Sequence, residues 1–585
     1  MKKTFFLLFI LVLAIASGCR NDKPFDENKI ENGFPADKDH EFDSGSEIVF
    51  PEFNKQLISD LELLGKIWGF LKYHHPQVGK GNYHWDYELF RILPQYLQVK
   101  DHEARDKVIT DWINRYGEIS VCTTCKGAPA NAFIKPSLSW AENSNMNNVL
   151  KDKIREIYQN RHQGEHYYIQ LDHYPEFLHE RTYSGMDYPD AGFRLLTLYR
   201  YWNMIQYFFP YKYLTDKNWD DILQEYIPLF VSAENRLEYE LTALQMIGET
   251  NDSHAGVVSG FNSVETSRGN KYAPIRVWFI EGKLVVTEYY NPEFKTSYGL
   301  EIGDIITHIN GKTVESIVDS LKKYYPASNK ARVLLVMVFD LLRSSNNPIN
   351  INYISAGQAG QKDLRLYDKL NLNIYGHYKV NSNEKCYKLL DGNIGYVTLA
   401  SIRDEDVSVI QSSFRNTKGI IIDIRNYPYS ASAYFSLSSY FASSYSFFEQ
   451  KAKGNSNNPG EFTFLDTNQI PYYGGESYQG KLMVLVNEIT FSHAEAAAMC
   501  FRAGINTTII GSTTTGAVGK NPGIDLPGGL KTTITSLATF YPDGTETQRI
   551  GIIPDIWVEP TIEGIIEGRD ELLEMAIKLI NGDKN

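Results

Sequence analysis

The sequence contains little cysteine, no excess of positive charge and no long hydrophobic run beyond its N-terminus. Five cysteines in 585 residues exclude a dense disulfide scaffold. A net charge of −13 leaves no basic footprint for nucleic acid, so we expect no nucleic-acid partner. After residue 18, no apolar run is long enough to predict a transmembrane helix. Hydrophobic residues nevertheless make up 43% and aromatic residues 13%, which excludes wholesale disorder, and the length predicts several domains.

The first 18 residues are typical of an export signal. Two lysines precede an apolar run from Phe5 to Ile15, and small residues follow at Ala16–Gly18. Cys19 comes next, so the segment resembles the lipobox of bacterial lipoproteins, whose cysteine becomes the acylated N-terminus. We therefore expect removal of residues 1–18 and lipidation of Cys19, which would hold an exported protein on the periplasmic or cell-surface side of a membrane. An ordinary signal peptide is the alternative, and the polar, aperiodic residues 19–50 predict a flexible tether.

Two short motifs raise the question of a metal site. Cys122 and Cys125 form a single C-x-x-C, which in an exported protein is a local disulfide, a redox pair or half of a zinc site. His162 and His166 match the H-x-x-E-H pattern of some zinc peptidases, but Gly164 weakens the helix that this pattern needs. We favour a disulfide or an unpaired loop at the cysteines and a polar turn at the histidines, with neither metal nor cofactor.

The N-terminal half contains an internal repeat. Seven identities align at a constant offset of 134 residues (202 − 68), four of them Trp or Pro: Trp68/Trp202, Tyr73/Tyr207, Pro76/Pro210, Trp85/Trp219, Asp86/Asp220, Leu89/Leu223 and Pro94/Pro228. Each copy predicts a helix, a polar loop and a second helix that begins at Trp-Asp. We place the two copies in helical units at 51–190 and 191–268. Only the second copy continues into Asp252-Ser253-His254.

From about residue 269 the composition becomes β-rich. Two apolar runs flank Glu281-Gly282, which predicts a hairpin. The stretch Gly299–Gly311 carries the pattern G-L-x-x-G-D-x-I-x-x-I-N-G and resembles PDZ domains of bacterial proteases. The resemblance implies a PDZ-like domain at 269–365 that takes an extended C-terminal peptide as an added strand. It places the peptide-binding residues at Pro274, Ile275 and Arg276.

The last third of the chain, residues 380–575, alternates short apolar runs with helical stretches, as expected for an α/β sheet covered on both faces. The run Lys481–Asn487 leads to Ser492 at the start of an Ala-rich helix. Ser is a favoured N-cap, and Glu495 three residues later fits a capping box. A nucleophile is the alternative, because free amides at a helix start stabilise an oxyanion. The local pattern alone favours the cap.

The order of four motifs changes that balance. Asp252-Ser253-His254 precedes the PDZ-like segment; after it come I-I-D-I-R ending at Arg425, N-E-x-T-x-S ending at Ser492, and Q-R-I-G-I-I-P-D beginning at Gln548. This order resembles the C-terminal processing peptidase and tricorn-core family of serine peptidases over roughly residues 200–575. The resemblance implies a multidomain α+β fold: a duplicated N-terminal helical region, a PDZ-like β domain and a C-terminal crotonase/ClpP-like α/β peptidase domain. It also makes Ser492 the nucleophile.

The resemblance assigns the base to His254. The lysine of the processing branch is replaced by Ala517, whereas the tricorn-like branch uses a Ser-His pair. A serine hydroxyl needs a base with a pKa near neutrality, and histidine meets that need. Ser253 and Gln548 would complete a tetrad, although Gln548 stands where the family has a charged Glu. Glu546 is a substitute only if the strand register brings it near.

The resemblance also implies two oxyanion donors, the backbone amides of His493 and Tyr429. The family pattern D-x-R-x-N-P-G-G appears from Asp423 to Ser430 as D-I-R-N-Y-P-Y-S, so both glycines are replaced. A main-chain donor survives such a replacement, since only the conformational ease of glycine is lost.

These assignments predict a lipid-anchored serine endopeptidase that forms an acyl-enzyme. Its partners would be exported or unfolded proteins and peptides, recognised through their C-terminal tails by the PDZ-like domain, and the membrane through the lipid. The alternative is an inactive lipoprotein of the same fold that binds peptides or apolar ligands. Gln548 and Tyr429 favour that alternative; the joint presence of Ser492 and His254 opposes it.

Overall fold

A computed structural model describes residues 33–381, 384–472 and 477–582. The predicted signal peptide and Cys19 lie outside the described residues. Within the described residues, no helix is both long and apolar enough to cross a bilayer. The part of the predicted tether that is described, residues 33–50, packs on the helical region, so the prediction of a flexible tether is wrong there. Ser46 is buried and its N–H donates to Asp190 Oδ2 at 2.6 Å, and the Phe42 ring packs against Phe90.

The helical region confirms the internal repeat. Its α-helices are Lys55–His74, Pro76–Gly79, Trp85–Tyr96, His102–Asn114, Ser139–Glu142, Asn148–Gln159, Ala191–Phe208, Ile222–Ser232, Arg236–Gly248 and Asn262–Arg268. In the first copy the indole N–H groups of Trp68 and Trp85 each donate to the other residue's carbonyl, at 3.0 and 2.8 Å. Trp202 and Trp219 repeat this exchange in the second copy, at 2.8 and 3.1 Å. The repeated tryptophans therefore lock each helical hairpin.

The two copies pack through their first helices. Asn203 donates to the carbonyl of Gly65 at 3.0 Å, and a side chain at Gly69 would collide with Asn203. This close approach requires glycine on the helix Lys55–His74. The Asn203 side chain of the helix Ala191–Phe208 packs directly against its backbone.

The β-rich unit (residues 269–365) has its own core. Its strands are Lys271–Tyr272, Ile275–Ile280, Lys283–Tyr289, Ile305–Ile309, Lys312–Thr313, Arg343–Ser344, Ile349–Ser355 and Gln358–Leu364, and its helices are Val314–Leu321 and Lys330–Met337. The predicted hairpin is confirmed: Ile275–Ile280 pairs with Lys283–Tyr289, and the turn residues Glu281 and Gly282 both have positive φ. Ile275–Ile280 is the end strand of its sheet.

The C-terminal domain is built on a mainly parallel sheet. In spatial order its strands are Tyr387–Leu390, Ile394–Thr398, Gly419–Asp423, Lys481–Val486, Thr507–Gly511 and Ile556–Trp557, of which only the first pair is antiparallel. Its helices are Asp406–Phe414, Ala431–Ser438, His493–Arg502, Ile562–Glu567 and Glu571–Asn581. Alternate residues of Gly419–Asp423 enter different cores, one shared with His493–Arg502 and the other with Glu571–Asn581. The sheet is therefore covered on both faces, as the sequence predicts.

Further strands join this domain to the helical region. Ser446–Gly454 pairs with Phe462–Phe464, Asn468–Ile470 and Leu537–Phe540. Gly523–Leu526 pairs with Leu530–Thr533, and Val257–Ser259 adds to the latter strand. Because Val257–Ser259 begins three residues after His254, this pairing carries the end of the second repeat into the C-terminal domain.

Candidate active site

Ser492 lies between a buried parallel strand and a helix. The strand Lys481–Val486 ends six residues before Ser492, and the helix His493–Arg502 begins with the residue after it. Its φ of 55° is rare for a residue other than glycine, so surrounding contacts must hold this conformation. The Ser492 N–H donates to Glu495 Oε2 at 3.1 Å, and the Ser492 Oγ lies 3.0 Å from His254 Nε2. The hydroxyl is therefore directed at a base.

Glu495 holds the loops around Ser492 in place. Its buried carboxylate accepts the N–H groups of Gly516 and Ala517 at 2.7 and 3.0 Å and the Thr514 hydroxyl at 2.6 Å, besides the Ser492 N–H. Burial raises the pKa of Glu495, and these hydrogen bonds oppose the rise. Ala517, which occupies the position of the family's lysine, thus contributes its amide to the scaffold of the site.

His254 is buried and uncharged at neutral pH. His254 lies in the loop after the helix Arg236–Gly248. It contacts Ser492, which is 238 positions later in the sequence (492 − 254). Desolvation by burial, with smaller effects of Arg332 and His493, lowers the pKa of His254 to about 4, while Asp252 acts in the opposite direction. A neutral imidazole can accept the serine proton, whereas an imidazolium cannot.

A hydroxyl and a carboxylate set the orientation of His254. Its Nδ1 lies 2.7 Å from Thr535 Oγ1, and the Thr535 hydroxyl lies 2.8 Å from Asp252 Oδ1. Because an ionised carboxylate only accepts, Thr535 donates to Asp252 and accepts the Nδ1 proton. The Nε2 lone pair then faces Ser492, which is the tautomer that a general base needs.

The other two predicted members of the tetrad, Ser253 and Gln548, hydrogen-bond to groups other than the imidazole. Ser253 exchanges hydrogen bonds with Ser328: each N–H donates to the other hydroxyl at 2.8 Å. It therefore ties the histidine loop to the β-rich unit instead of contacting the imidazole. Gln548 donates from Nε2 to Asp252 Oδ1 at 3.1 Å, so it contacts the carboxylate behind His254. The alternative, Glu546, accepts from Tyr213 on an exposed surface.

One of the two predicted oxyanion amides is already engaged in a hydrogen bond. His493 is the first residue of its helix, and N–H groups at that position have no acceptor within the helix. The Tyr429 amide instead donates to the carbonyl of Leu399 at 2.9 Å, so the assignment of Tyr429 as an oxyanion donor is wrong. Tyr427 lies nearer the site than Tyr429: its ring stacks on His493, with 5.9 Å between the ring centroids.

Sequence reasoning missed Thr535 and the role of Asp252. The sequence contained a signal for Asp252, because this residue stands two positions before the histidine. In the structure Asp252 accepts the His254 N–H at 3.1 Å. Thr535 lies in a stretch with threonines at 532, 533 and 535, and no local pattern separates them. Its selection depends on the pairing of Leu530–Thr533 with Val257–Ser259, which brings this stretch beside the histidine loop.

The residues predicted to bind peptide are engaged within the chain. Pro274 and Ile275 are buried, and the Pro274 carbonyl accepts the Tyr290 N–H at 3.0 Å. The Arg276 guanidinium donates to the Tyr375 hydroxyl at 2.7 Å and to the His377 carbonyl at 2.5 Å. The segment after the β-rich unit therefore lies against this strand.

The two candidate metal motifs have other roles. Cys122 and Cys125 form a disulfide. His162 bonds through Nε2 to the Glu165 carbonyl at 2.6 Å within a turn, so it does not share a helix with His166. Across residues 33–381, 384–472 and 477–582, no group of three or more His, Cys, Asp or Glu side chains could hold a metal ion.

A buried serine next to a neutral, oriented histidine, beside the free amide of a helix start, defines a serine hydrolase site. Residues 393–558 match the profile of Peptidase family S41, which indicates a serine-type peptidase domain in that part of the chain. A search of curated proteins gives no match.

Two solved structures with TM-scores above 0.5, both of mature CPAF, show the same fold. A structure of mature CPAF complexed with lactacystin has a TM-score of 0.52 at 15% identity, with 67% of this chain and 99% of that chain covered. A crystal structure of mature CPAF has the same TM-score at 14% identity, covering 68% and 99%. A photosystem II D1 C-terminal processing protease has a TM-score of 0.36 at 18% identity, covering 64% and 96%.

Proposed function

We propose that the protein is an exported, lipid-anchored serine endopeptidase in which Ser492 is the nucleophile and His254 the general base. The observation that carries this proposal is the contact of 3.0 Å between Ser492 Oγ and His254 Nε2, supported from behind by Thr535 and Asp252.

The arrangement accounts for both halves of an acyl transfer. Ser492 Oγ attacks the scissile carbonyl carbon as its proton passes to His254 Nε2, and the His493 amide donates to the developing oxyanion. The imidazolium then gives this proton to the leaving amine, and the C–N bond breaks to leave an ester on Ser492. Water, deprotonated by His254, hydrolyses the ester. Asp252 acts through the Thr535 hydroxyl to stabilise the transient imidazolium.

Covalent labelling of Ser492 tests the catalytic proposal. We expect a fluorophosphonate to modify the purified protein at Ser492 alone and to block peptide cleavage in proportion to labelling, because only an activated serine reacts. Peptide mass mapping identifies the site. Ser320→Ala, which removes an exposed hydroxyl from the helix Val314–Leu321 of the β-rich unit, is the matched control and should label like the unmodified protein. A folded protein that binds peptide without labelling would instead indicate the inactive binder.

Lipidation of Cys19 is the proposed anchor. The support is the sequence Ile15-Ala16-Ser17-Gly18-Cys19 behind an apolar run. We expect Cys19→Ser to move the protein from the membrane fraction to the soluble fraction, whereas Cys386→Ser, at a buried free cysteine, should leave it in the membrane fraction. Unchanged membrane association of Cys19→Ser would contradict the anchor.

Recognition of C-terminal tails is proposed for the β-rich unit as a PDZ-like domain. The support is the pattern G-L-x-x-G-D-x-I-x-x-I-N-G at residues 299–311, which resembles PDZ domains. We expect peptides with a free C-terminal carboxylate to be cleaved with a KM about tenfold lower than the same peptides with an amidated end. Equal KM values for both forms would contradict tail recognition.

A further inference from the structure

A cavity lies beside Ser492. Its volume is about 520 Å³, which falls within the range of pockets that enclose small ligands. One wall is the helix His493–Arg502, from which Ala496 and Cys500 face inward one and two turns beyond Ser492. The opposite wall is the strand Ser446–Gly454, where a register shift between Phe447 and Glu449 lets adjacent residues face the same space.

The cavity lies on the acyl side of the nucleophile. Ser492 and His493 line it, whereas His254 is absent from its walls as far as the described residues extend. The leaving amine must face His254 to receive a proton, so that group lies on the opposite side of Ser492. The side chain of the substrate residue that contributes the scissile carbonyl is therefore the group nearest the cavity.

Most of the wall is apolar. The side chains of this part are uncharged and include Phe435, Phe448, Ala496, Cys500, Val518 and Leu537. Burial of an apolar side chain against such walls is favourable, and the gain grows with the area removed from water.

The polar end of the cavity disfavours the binding of charged groups. The carboxylate of Glu449, which is only 4% exposed, pairs with Lys451 at 2.5 Å and accepts from Asn468 at 2.8 Å. Lys520 adds a second cation at the wall. Glu449 and Lys451 neutralise each other, and Lys520 is exposed, so solvent screens its charge. An entering charged group would therefore lose its hydration without gaining a strong partner of opposite charge. A neutral hydroxyl could still bond to this end.

We propose that this cavity is the specificity pocket of the peptidase, and that it selects a large uncharged side chain, aromatic or long aliphatic, at the residue whose carbonyl is cleaved. The inference rests on the proposed function, since it assigns the acyl side from the roles of Ser492 and His254. Ala496 sets the depth of the pocket because it is the small residue one helical turn from the nucleophile.

A peptide series with one variable residue tests the pocket. We expect kcat/KM to be about ten- to hundredfold higher with Phe, Tyr or Leu than with Ala, Lys or Glu at the cleaved residue, which is the usual range for filling an apolar pocket. Ala496→Phe should fill the cavity, lower kcat/KM for the Phe and Tyr peptides at least tenfold and leave the Ala peptide within threefold. Val409→Phe introduces the same side chain at an exposed position on another helix and should change the kcat/KM of neither group of peptides.

Labelling separates failure of this inference from failure of the proposed function. If Ser492 reacts with a small fluorophosphonate and peptides are cleaved, but all six peptides react equally or charged residues are preferred, the pocket assignment is wrong and the peptidase assignment stands. If Ser492 neither labels nor cleaves in the folded protein, both are overturned. The series on the unmodified protein decides the matter even where Ala496→Phe does not fold.

Discussion

Replacing His254 with alanine lowers kcat for peptide cleavage by about ten-thousandfold to a millionfold, and Ser492→Ala has a loss of the same size. The expected size is that of removing one member of a nucleophile–base unit in serine peptidases. The physical reason is the single 3.0 Å contact through which the serine proton must leave. Without His254 the hydroxyl has no base, and without Ser492 the histidine has no nucleophile to activate.

The double variant distinguishes a catalytic pair from two independent effects. Because the two residues act as one unit, His254→Ala combined with Ser492→Ala should be no less active than either single variant. His173→Ala, at an exposed position, is the matched control and should retain full activity. Retention of more than about a tenth of the activity by either folded single variant would refute the assignment.

Replacing Asp252 with asparagine lowers kcat by about a hundred- to ten-thousandfold, the second-largest expected effect. Asn keeps the shape of the side chain and can still accept from Thr535 at 2.8 Å, but it lacks the charge that stabilises the imidazolium. Thr535→Val should cost about ten- to hundredfold, because it leaves the buried Nδ1–H without its acceptor. Thr535→Ser restores the hydroxyl and should recover most of the activity.

The pH profile shows whether Asp252 acts on His254. The pKa of His254, about 4, is raised by the Asp252 charge, so Asp252→Asn must lower this pKa further. The acidic limb of kcat/KM, near pH 4 in the unmodified protein, should therefore shift to lower pH while the plateau falls. A purely structural role would lower the plateau without that shift. Asp543→Asn, an exposed carboxyl, is the control, and an upward shift in Asp252→Asn would contradict the contact chain.

The two reacting residues were predictable because each stands in a motif with its own order along the chain. Ser492 follows an apolar strand and precedes an Ala-rich helix, and His254 follows Asp252-Ser253. The local pattern by itself favoured an N-cap at Ser492. The structure shows that Glu495 holds the backbone of Ser492 while the hydroxyl faces His254.

The surrounding contacts were not predictable, because each depends on which chain segment lies alongside. Tyr429 stands at the family's oxyanion position, yet its amide is taken by the Leu399 carbonyl. Ser253 neighbours the histidine in sequence, but in the loop its side chain turns toward Ser328. Thr535 became the partner of His254 through a strand pairing that periodicity cannot reveal.

The sequence alone indicated the duplicated helical hairpins, the α/β peptidase domain and the identity of the serine–histidine pair. It also predicted the export signal. Those features depend on local spacing: repeated Trp and Pro, alternating apolar residues and short motifs. Only the tertiary structure decided how residues 238 positions apart meet, which groups orient the imidazole and which pocket lies beside the nucleophile. The physical reason is that hydrogen bonds and cavities belong to surfaces brought together by packing, and the sequence contains no local record of those contacts.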